Sequence, residues 1–251
     1  MGLKELWLEE EKKSFQGWDF SYINDRTEEE PLPWDYDKIV RQYLNPDYML
    51  LDMGTGGGEY LLSLGHPYKN TCVTEGYPPN VELCMEKLEP LGIEVKQVID
   101  DSHLPFDDNM FDMVINRHES FDVNEVHRLL KPNGLFITQQ VGGKNNKELS
   151  KFLIDDFKEI VSSNFDLNNN VELVQNAGFT ILKSDEYFPY IRFFDIGALV
   201  YFAKIIEWEF PNFSVERCYE KLCQLQSILE KQGFVESREH RFIIVARKTQ
   251  K

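Results

Sequence analysis

The stretch "LLDMGTGGGEYL", residues 50–61, joins an apolar run ending near Asp52 to a turn with four glycines within residues 54–58. The apolar residues predict a short buried strand, and the glycines predict a tight turn at its carboxyl end. Glycine permits positive φ and allows a ligand to approach the backbone closely. Because ligands bind at the carboxyl ends of the strands in open α/β sheets, we expect this turn to line a binding site.

Apolar runs alternate with helical patterns along most of the chain. Alternation of this kind predicts a doubly wound α/β fold, in which helices cover both faces of a mostly parallel sheet. A later extended segment and a final apolar run add two more predicted strands. The runs that predict the first five strands are residues 48–53, 70–77, 94–100, 111–117 and 134–142.

Composition limits the classes of partner. The formal net charge is −16 over 251 residues, and such a field repels phosphate backbones, so we expect no nucleic-acid partner. The four cysteines form no CxxC pair and the histidines no cluster, which argues against a zinc site and for a reducing compartment. Residues 1–13 lack the apolar core of a signal peptide, and residues 193–210 carry too many charges for a membrane span. We therefore expect a cytoplasmic protein without a membrane or metal partner.

The glycine turn argues against a nicotinamide cofactor. A dinucleotide-binding turn has the pattern G-x-G-x-x-G, and its third glycine would fall at Glu59. An acid at this helix start opposes a pyrophosphate, because both are anionic. Asp52, before the first glycine, suits instead a ligand that carries an ammonium group. A nicotinamide-dependent oxidoreductase is therefore the weaker alternative.

Four stretches of the sequence resemble those of class I S-adenosylmethionine-dependent methyltransferases, and the chain is similar to bacterial members of their methyltransferase-11-like group. Residues 50–61 resemble motif I, and "VTEGY" (73–77) has an acid at the end of the second strand. "VIDDSHLPFDDNMFDMVINR" (98–117) and "EVHRLLKPNGLFI" (125–137) follow in the family's order. The resemblance implies seven strands with an antiparallel last strand, which residues 238–248 would supply.

The resemblance also implies a cofactor and the residues that bind it. The cofactor is S-adenosyl-L-methionine, and the product is S-adenosyl-L-homocysteine. In this family the acid at Glu75 binds both ribose hydroxyls, and the acid at Asp100 contacts the adenine. Asn116 is expected near the methionine end. The full expected cofactor set is Asp52, Gly54, Thr55, Gly56, Glu75, Gly76, Asp100, Asp101, Ser102 and Asn116.

Candidates for acceptor chemistry follow the fourth predicted strand. Histidine is the side chain best suited to act as a base near neutral pH, so His118 is one candidate base and Glu119 is a second. Each has a plain structural alternative, namely a hydrogen-bonding histidine and a helix-capping acid. The sulfonium needs no acid, so the methyl transfer requires no obligatory catalytic residue. The predicted substrate-binding residues are Trp34, Arg117, Gln139, Arg192 and Tyr201, for which core packing or ion pairing are the alternatives.

The predicted domain organisation has three consecutive parts. Residues 1–46 form an N-terminal helical and aromatic cap, residues 47–145 the cofactor-binding core, and residues 146–251 the rest of that domain with a helical lid insertion at about 193–232. The predicted reaction is in-line SN2 transfer of a methyl group to a small-molecule acceptor. The alternatives are an RNA or protein substrate, or a non-catalytic protein that binds S-adenosylmethionine. The chain is expected to be a monomer or a homodimer.

Overall fold

The computed structural model describes residues 2–15 and 20–249, and the chain divides into two compact units. We call them the large-sheet unit and the small-sheet unit. The chain passes from one to the other several times, so neither unit is a single consecutive segment. The small-sheet unit comprises Met1–Leu32, Val141–Asp166 and Tyr187–Arg241, and the large-sheet unit comprises Pro33–Gln140, Leu167–Glu186 and Phe242–Lys251.

Strands and helices alternate through the described residues. The strands are β1 (Thr27–Glu29), β2 (Leu50–Met53), β3 (Thr71–Glu75), β4 (Glu94–Gln97), β5 (Phe111–Arg117), β6 (Leu130–Val141), β7 (Phe179–Tyr187), β8 (Tyr190–Phe193), β9 (Val235–Arg238) and β10 (Arg241–Lys248). The helices are α1 (Leu3–Glu11), α2 (Tyr36–Tyr43), α3 (Glu59–Ser63), α4 (Pro78–Lys87), α5 (Val123–Leu129), α6 (Lys147–Leu153), α7 (Leu167–Asn176), α8 (Ile196–Ile205) and α9 (Val215–Gln232).

The large-sheet unit is built on a seven-stranded sheet in the order β4-β3-β2-β5-β6-β10-β7. Neighbouring strands from β4 through β6 pair in parallel, and the last strand of the chain, β10, is antiparallel. This arrangement confirms the fold class predicted from the sequence. The strand order reverses at β2, which pairs with both β3 and β5, so the carboxyl end of β2 is the switch point where such sheets bind ligands.

The central strands are buried because both faces of the sheet are covered. Leu50, Leu51 and Met53 of β2 have no exposed surface, and residues 113–116 of β5 are all buried. A parallel strand buried on both faces has neighbouring apolar residues rather than an alternating pattern, as Leu50 and Leu51 in β2 and residues 113–115 in β5 do. Polar residues at the ends of such strands are therefore exceptions, and in this sheet they collect at the carboxyl edge.

The small-sheet unit contains a three-stranded antiparallel sheet, β1-β8-β9, that we did not predict from the sequence. The segment 179–194, predicted as one extended stretch, splits into β7 in the large sheet and β8 in the small one. Helices α1, α8 and α9 pack together in this unit around Trp7, Tyr201 and Leu222. Among the residues that the structure describes, no helix has the length and apolar character that crossing a membrane requires.

A charged clamp fixes the loop that follows β4 to helix α5 in the large-sheet unit. The Oε1 atom of buried Glu125 accepts a hydrogen bond from the backbone N–H of Leu104 at 2.7 Å. Arg128 donates to Glu125 Oε2 at 2.8 Å, to Asp108 at 2.6 Å and to the Phe106 carbonyl at 2.8 Å. The guanidinium holds the pKa of Glu125 below its usual range. The clamp therefore positions the loop that begins with the predicted adenine-binding acids.

Replacing Arg128 tests this clamp. We expect Arg128→Met to lower the free energy of unfolding by about 3 kcal/mol at pH 7, because Glu125 would stay buried without its cation. The loss should shrink as the pH falls through the pKa of Glu125, since a carboxyl whose pKa is lowered by folding stabilises only while ionised. Urea denaturation at several pH values measures both effects.

Lys87→Met is the matched control, because Lys87 pairs with Glu59 at 2.8 Å where both side chains are substantially exposed. Exposed pairs of this kind contribute less than about 1 kcal/mol. Equal losses in the two variants would show that the clamp has no special role.

Candidate functional site

Three glycines with positive φ form the turn after β2. The φ angles of Gly54, Gly56 and Gly58 are 67°, 63° and 79°, a region that side chains with a Cβ rarely adopt. The backbone N–H groups of Gly54 and Thr55 donate to the carbonyl of Thr74 at 3.0 and 3.1 Å. The turn is thereby joined to the end of the neighbouring strand β3, where the next site residue lies.

Glu75, the last residue of β3, organises the backbone around the turn. Its Oε2 atom accepts a hydrogen bond from the N–H of Gly56 at 2.7 Å. Its Oε1 atom accepts from the N–H groups of Gly76 and Tyr77 at 2.9 and 3.0 Å. A carboxylate has about four acceptor positions, so about one remains for a further donor such as a hydroxyl group.

Asp52 lies buried at the end of β2, with 5% of its surface exposed. Burial raises the pKa of this carboxyl to about 7, against the opposing effects of the Thr55 hydroxyl and the Arg117 charge. The Thr55 hydroxyl donates to Asp52 Oδ2 at 2.7 Å. A group with this pKa changes its charge near neutral pH, and a cation placed beside it would favour the ionised form.

Glu119 covers the glycine turn from the other side. A Cβ atom added to Gly54 would lie 2.4 Å from Cγ of Glu119, so only glycine fits there beside this side chain. Burial raises the pKa of Glu119, and the charges of Asp101 and Glu75 raise it further. The Ser120 hydroxyl donates to Asp101, whose pKa is also raised by burial. Several carboxyls therefore converge on one turn.

Asp100 differs from its neighbour Asp101. Its Oδ1 atom accepts hydrogen bonds from the N–H and the hydroxyl of Ser102 at 2.9 and 2.7 Å. These bonds lower the pKa of Asp100 and hold it ionised in an exposed position. The two adjacent acids thus have opposite electrostatic environments within one short loop.

Asn116 lies at the end of β5 with no exposed surface. Its Oδ1 atom accepts from the Thr138 hydroxyl at 3.0 Å and from Gln140 Nε2 at 2.6 Å. Its Nδ2 atom donates to the Ser120 carbonyl at 3.3 Å. The amide therefore joins β5, β6 and the loop carrying Glu119, and its predicted contact with the cofactor stays a prediction.

Arg117 is the last residue of β5 and His118 begins the loop after it, and both residues are exposed. The Arg117 guanidinium stacks over the rings of Tyr60 and Tyr36, at 4.7 and 5.8 Å from their centroids. Tyr60 is a residue that the sequence did not single out. Its hydroxyl is buried and has no hydrogen-bond partner in the part of the chain that is described.

Trp34, Gln139 and His118 form a hydrogen-bonded chain in the large-sheet unit. The indole N–H of Trp34 donates to Gln139 Oε1 at 2.8 Å, and Gln139 Nε2 lies 3.0 Å from Nε2 of His118. Trp34 precedes helix α2, whose first turn is capped by Asp35 through the N–H of Lys38 at 3.1 Å. Three residues predicted for substrate binding or catalysis are thereby brought together.

The other two predicted substrate residues lie in the small-sheet unit. Arg192 donates to Glu236 at 2.9 Å and to Glu28 at 3.3 Å, and its guanidinium stacks on Tyr190. Tyr201 is buried in the helical core of that unit, and its hydroxyl donates to the carbonyl of Ser14 at 3.4 Å. Both side chains therefore have structural partners, and their substrate roles stay predictions.

No group of three or more potential metal ligands occurs within residues 2–15 and 20–249. The residues of the large-sheet unit do fit S-adenosylmethionine. A Cβ atom on Gly56 would meet no described atom within 4 Å, so the backbone there is open to a ligand. The acceptors around it are buried carboxylates, which suit the hydroxyl and ammonium groups of that cofactor.

Comparison with known proteins agrees with this geometry. Residues 51–138 match the model of a family described as "Methyltransferase domain". No sequence among curated proteins matches the chain. Similar solved structures have low identity and therefore bear on the fold alone.

A putative methyltransferase from Bacillus halodurans has a TM-score of 0.59 and 19% identity, with 86% of this chain and 99% of that chain covered. A putative sarcosine dimethylglycine methyltransferase from Galdieria sulphuraria has a TM-score of 0.52 and 18% identity, with 85% of this chain and 83% of that chain covered. A third similar structure is a phosphoethanolamine N-methyltransferase of Haemonchus contortus in complex with phosphomonomethylethanolamine and S-adenosylhomocysteine. It has a TM-score of 0.51 and 14% identity, with 87% of this chain and 54% of that chain covered.

An open, mostly parallel sheet with an acid-flanked glycine turn at its switch point is the architecture of class I methyltransferases. Residues 51–138 match a methyltransferase domain, and the fold around them is the one that the solved methyltransferase structures share, in agreement with the family predicted from the sequence. The family and the class of enzyme predicted from the sequence are thus confirmed.

The raised pKa of Asp52 predicts how stability depends on pH. A carboxyl whose pKa is raised by folding destabilises the fold once the pH exceeds its unfolded pKa, and this penalty grows until the pH passes the folded pKa of about 7. Asp52→Asn should therefore leave the free energy of unfolding nearly unchanged at pH 4 and raise it by roughly 2–4 kcal/mol at pH 8. Urea denaturation across this range measures the difference.

Asp47→Asn is the control, because Asp47 is exposed and precedes β2 without entering it. It should change stability by less than about 0.5 kcal/mol at every pH. If the effect of Asp52→Asn on the free energy of unfolding is equally independent of pH, ionisation of the buried Asp52 carboxyl does not destabilise the fold.

Proposed function

We propose that this enzyme transfers the methyl group of S-adenosylmethionine to a small-molecule acceptor at the carboxyl edge of the large sheet. The observation that carries the proposal is the convergence of Asp52, Glu75 and Glu119 on the left-handed glycine turn. This arrangement suits a ligand that combines a positive charge with neighbouring hydroxyl groups. S-adenosylmethionine has both, and its sulfonium supplies an activated methyl group that leaves a neutral thioether behind.

The described contacts support a role for each cofactor-binding residue. Glu75, already aligned by three backbone N–H groups, keeps about one acceptor position for a ribose hydroxyl, and a second hydroxyl would have to share an oxygen with one of these N–H groups. Asp52 and Glu119 are the carboxyls suited to the ammonium group. Asp100, held ionised by Ser102, suits the amino group of the adenine, with Asp101 beside it. Gly54, Thr55, Gly56 and Gly76 provide the backbone of the same pocket.

The protein's part in the transfer is placement. Because the leaving group is a neutral thioether, the enzyme needs only to exclude water and to hold the acceptor atom in line with the bond between the methyl group and the sulfur. A base is required only where the acceptor atom is protonated. His118 and Glu119, which follow β5, are the candidates for that base, and Arg117 beside them is the candidate for a polar contact to the acceptor.

Charge supports a small acceptor without net negative charge. The chain carries a formal charge of −16, and the carboxyls at the turn add a local negative field, so an anionic polymer would be repelled. Two similar structures carry names that refer to small amines, the sarcosine dimethylglycine enzyme and the phosphoethanolamine enzyme. The charge disfavours an RNA, and the two names favour a small amine as the acceptor.

We also propose a reducing, cytoplasmic location. All four cysteines are free thiols, and Cys72, Cys84 and Cys218 are buried. Burial raises the pKa of both Cys72 and Cys84 to about 12, so these thiols stay protonated and unreactive at neutral pH.

Calorimetry tests cofactor binding. We expect S-adenosylmethionine and S-adenosylhomocysteine to bind the wild type with micromolar Kd values. Glu75→Ala should weaken both by at least about tenfold, roughly 1.4 kcal/mol, because it removes the ribose acceptor and the brace on Gly56.

Glu86→Ala is the matched control, since Glu86 is an exposed acid on α4 that carries the same charge. Its Kd values should equal those of the wild type. Failure of the wild type to bind either compound would contradict the proposal, and equal weakening in both variants would reduce the effect to net charge.

An acceptor screen tests the substrate class. Small amines and alcohols should give S-adenosylhomocysteine, whereas analogues with an added carboxylate should react at least about tenfold more slowly because of the acidic site. Turnover with a purified RNA or a protein fraction, but with no small molecule, would refute the small-molecule assignment. The cofactor alone, without acceptor, gives the background rate.

A further inference from the structure

Both the backbone and the ring of His118 are held in place at the carboxyl edge of the large sheet. Its φ angle is 64°, a left-handed conformation that is unusual for a residue other than glycine. Its N–H donates to the carbonyl of Gln139 at 2.8 Å, which continues the pairing of β5 with β6 past Arg117. This position turns the imidazole toward the side chain of Gln139.

The orientation of the Gln139 amide is fixed by Trp34. An indole N–H can only donate, so the atom that faces it at 2.8 Å must be the amide oxygen. The opposite orientation would place the amide NH2 against the indole N–H, which leaves two donors facing each other. Both residues are buried, with 7% and 6% exposed, so water offers no easy alternative partner.

The fixed amide in turn determines the state of the imidazole. With its oxygen toward Trp34, Gln139 presents Nε2 to Nε2 of His118 at 3.0 Å, and an amide nitrogen can only donate. The ring nitrogen that accepts this bond carries no proton. A neutral imidazole has one N–H, so the proton is on Nδ1.

We propose that Trp34 and Gln139 are positioning residues that lock His118 in the neutral tautomer with the proton on Nδ1. Any group that His118 contacts through Nδ1 must then accept a hydrogen bond. A base would need a lone pair on Nδ1 and hence a proton on Nε2, which the Gln139 amide opposes. His118 therefore orients an acceptor atom rather than deprotonating it.

One consequence rests on the proposed function. If the acceptor must lose a proton, Glu119 is the remaining candidate base of the two, because it follows His118 and covers the glycine turn. Trp34 and Gln139, predicted from the sequence as substrate-binding residues, would act through His118 instead. The tautomer itself is independent of any substrate.

Nitrogen-15 NMR of histidine-labelled protein at pH 8 tests the tautomer directly. The signals of His118 are assigned by their loss in His118→Gln, and long-range couplings to the ring protons distinguish a protonated ring nitrogen from an unprotonated one. We expect a protonated Nδ1 and an unprotonated Nε2 in the wild type. A protonated Nε2 would overturn the proposal, and this result requires no further variant.

Trp34→Phe tests the role of the indole. It removes the donor and keeps a ring, so the Gln139 amide can adopt both orientations and His118 should show both tautomers. Tyr36→Phe is the matched control: it removes a hydrogen bond of 3.3 Å to the Asn116 carbonyl in the same unit and should leave the tautomer unchanged. An unmixed Nδ1 tautomer in Trp34→Phe would remove the indole from the mechanism.

The other four histidines report whether a variant is folded, because their signals should not move. The spectrum is recorded without cofactor or acceptor. A failure of methyl transfer would therefore leave the tautomer result intact, and the wrong tautomer would leave the methyl transfer intact.

Discussion

The carboxylate of Glu75 is the interaction on which the rest of the site depends. It joins three backbone N–H groups, two from the chain after β3 and one from the glycine turn after β2. Buried backbone N–H groups that a tight turn directs outward need partners from elsewhere in the chain, and a buried carboxylate needs donors in return. The Glu75 carboxylate and these N–H groups satisfy each other. The turn is thereby held in its left-handed conformation, and Asp52, Asp101 and Glu119 can be arranged around it.

The large sheet was predictable from the sequence, whereas the small sheet was not. Strands β2, β3 and β5 are buried runs with Asp52, Glu75 and Asn116 at or next to their carboxyl ends, and these patterns arise from burial on both faces. Strands β1, β8 and β9 have three or four residues each and carry charges, so they lack a distinctive period. They form because Thr27 pairs with Phe193 and Tyr190 with Arg238, contacts across the chain that no local pattern encodes.

The site shows the same division between local and long-range information. The acids and glycines follow directly from strand ends, so the sequence predicted them together. The hydrogen bond between Trp34 and Gln139 joins residues 105 positions apart, and the role of Tyr60 under Arg117 depends on three separate elements. Asn116 illustrates the limit of position alone, because its place at a strand end is compatible with a ligand contact, yet its amide joins Thr138 and Gln140.

The acids at the glycine turn also connect stability with function. Asp52, Glu119 and Asp101 each have a raised pKa because burial and like charges oppose ionisation, so the fold carries an electrostatic cost near neutral pH. A cationic ligand would reduce that cost by supplying a positive charge, and whatever binds only the folded state stabilises it. The same groups that weaken the fold would therefore strengthen its complex with such a ligand. Stability of the fold is thus exchanged for affinity toward a cationic ligand, which gives a physical reason for several carboxyls to lie beside one turn. Neutral side chains at these positions would make the fold more stable, but they would not attract such a ligand.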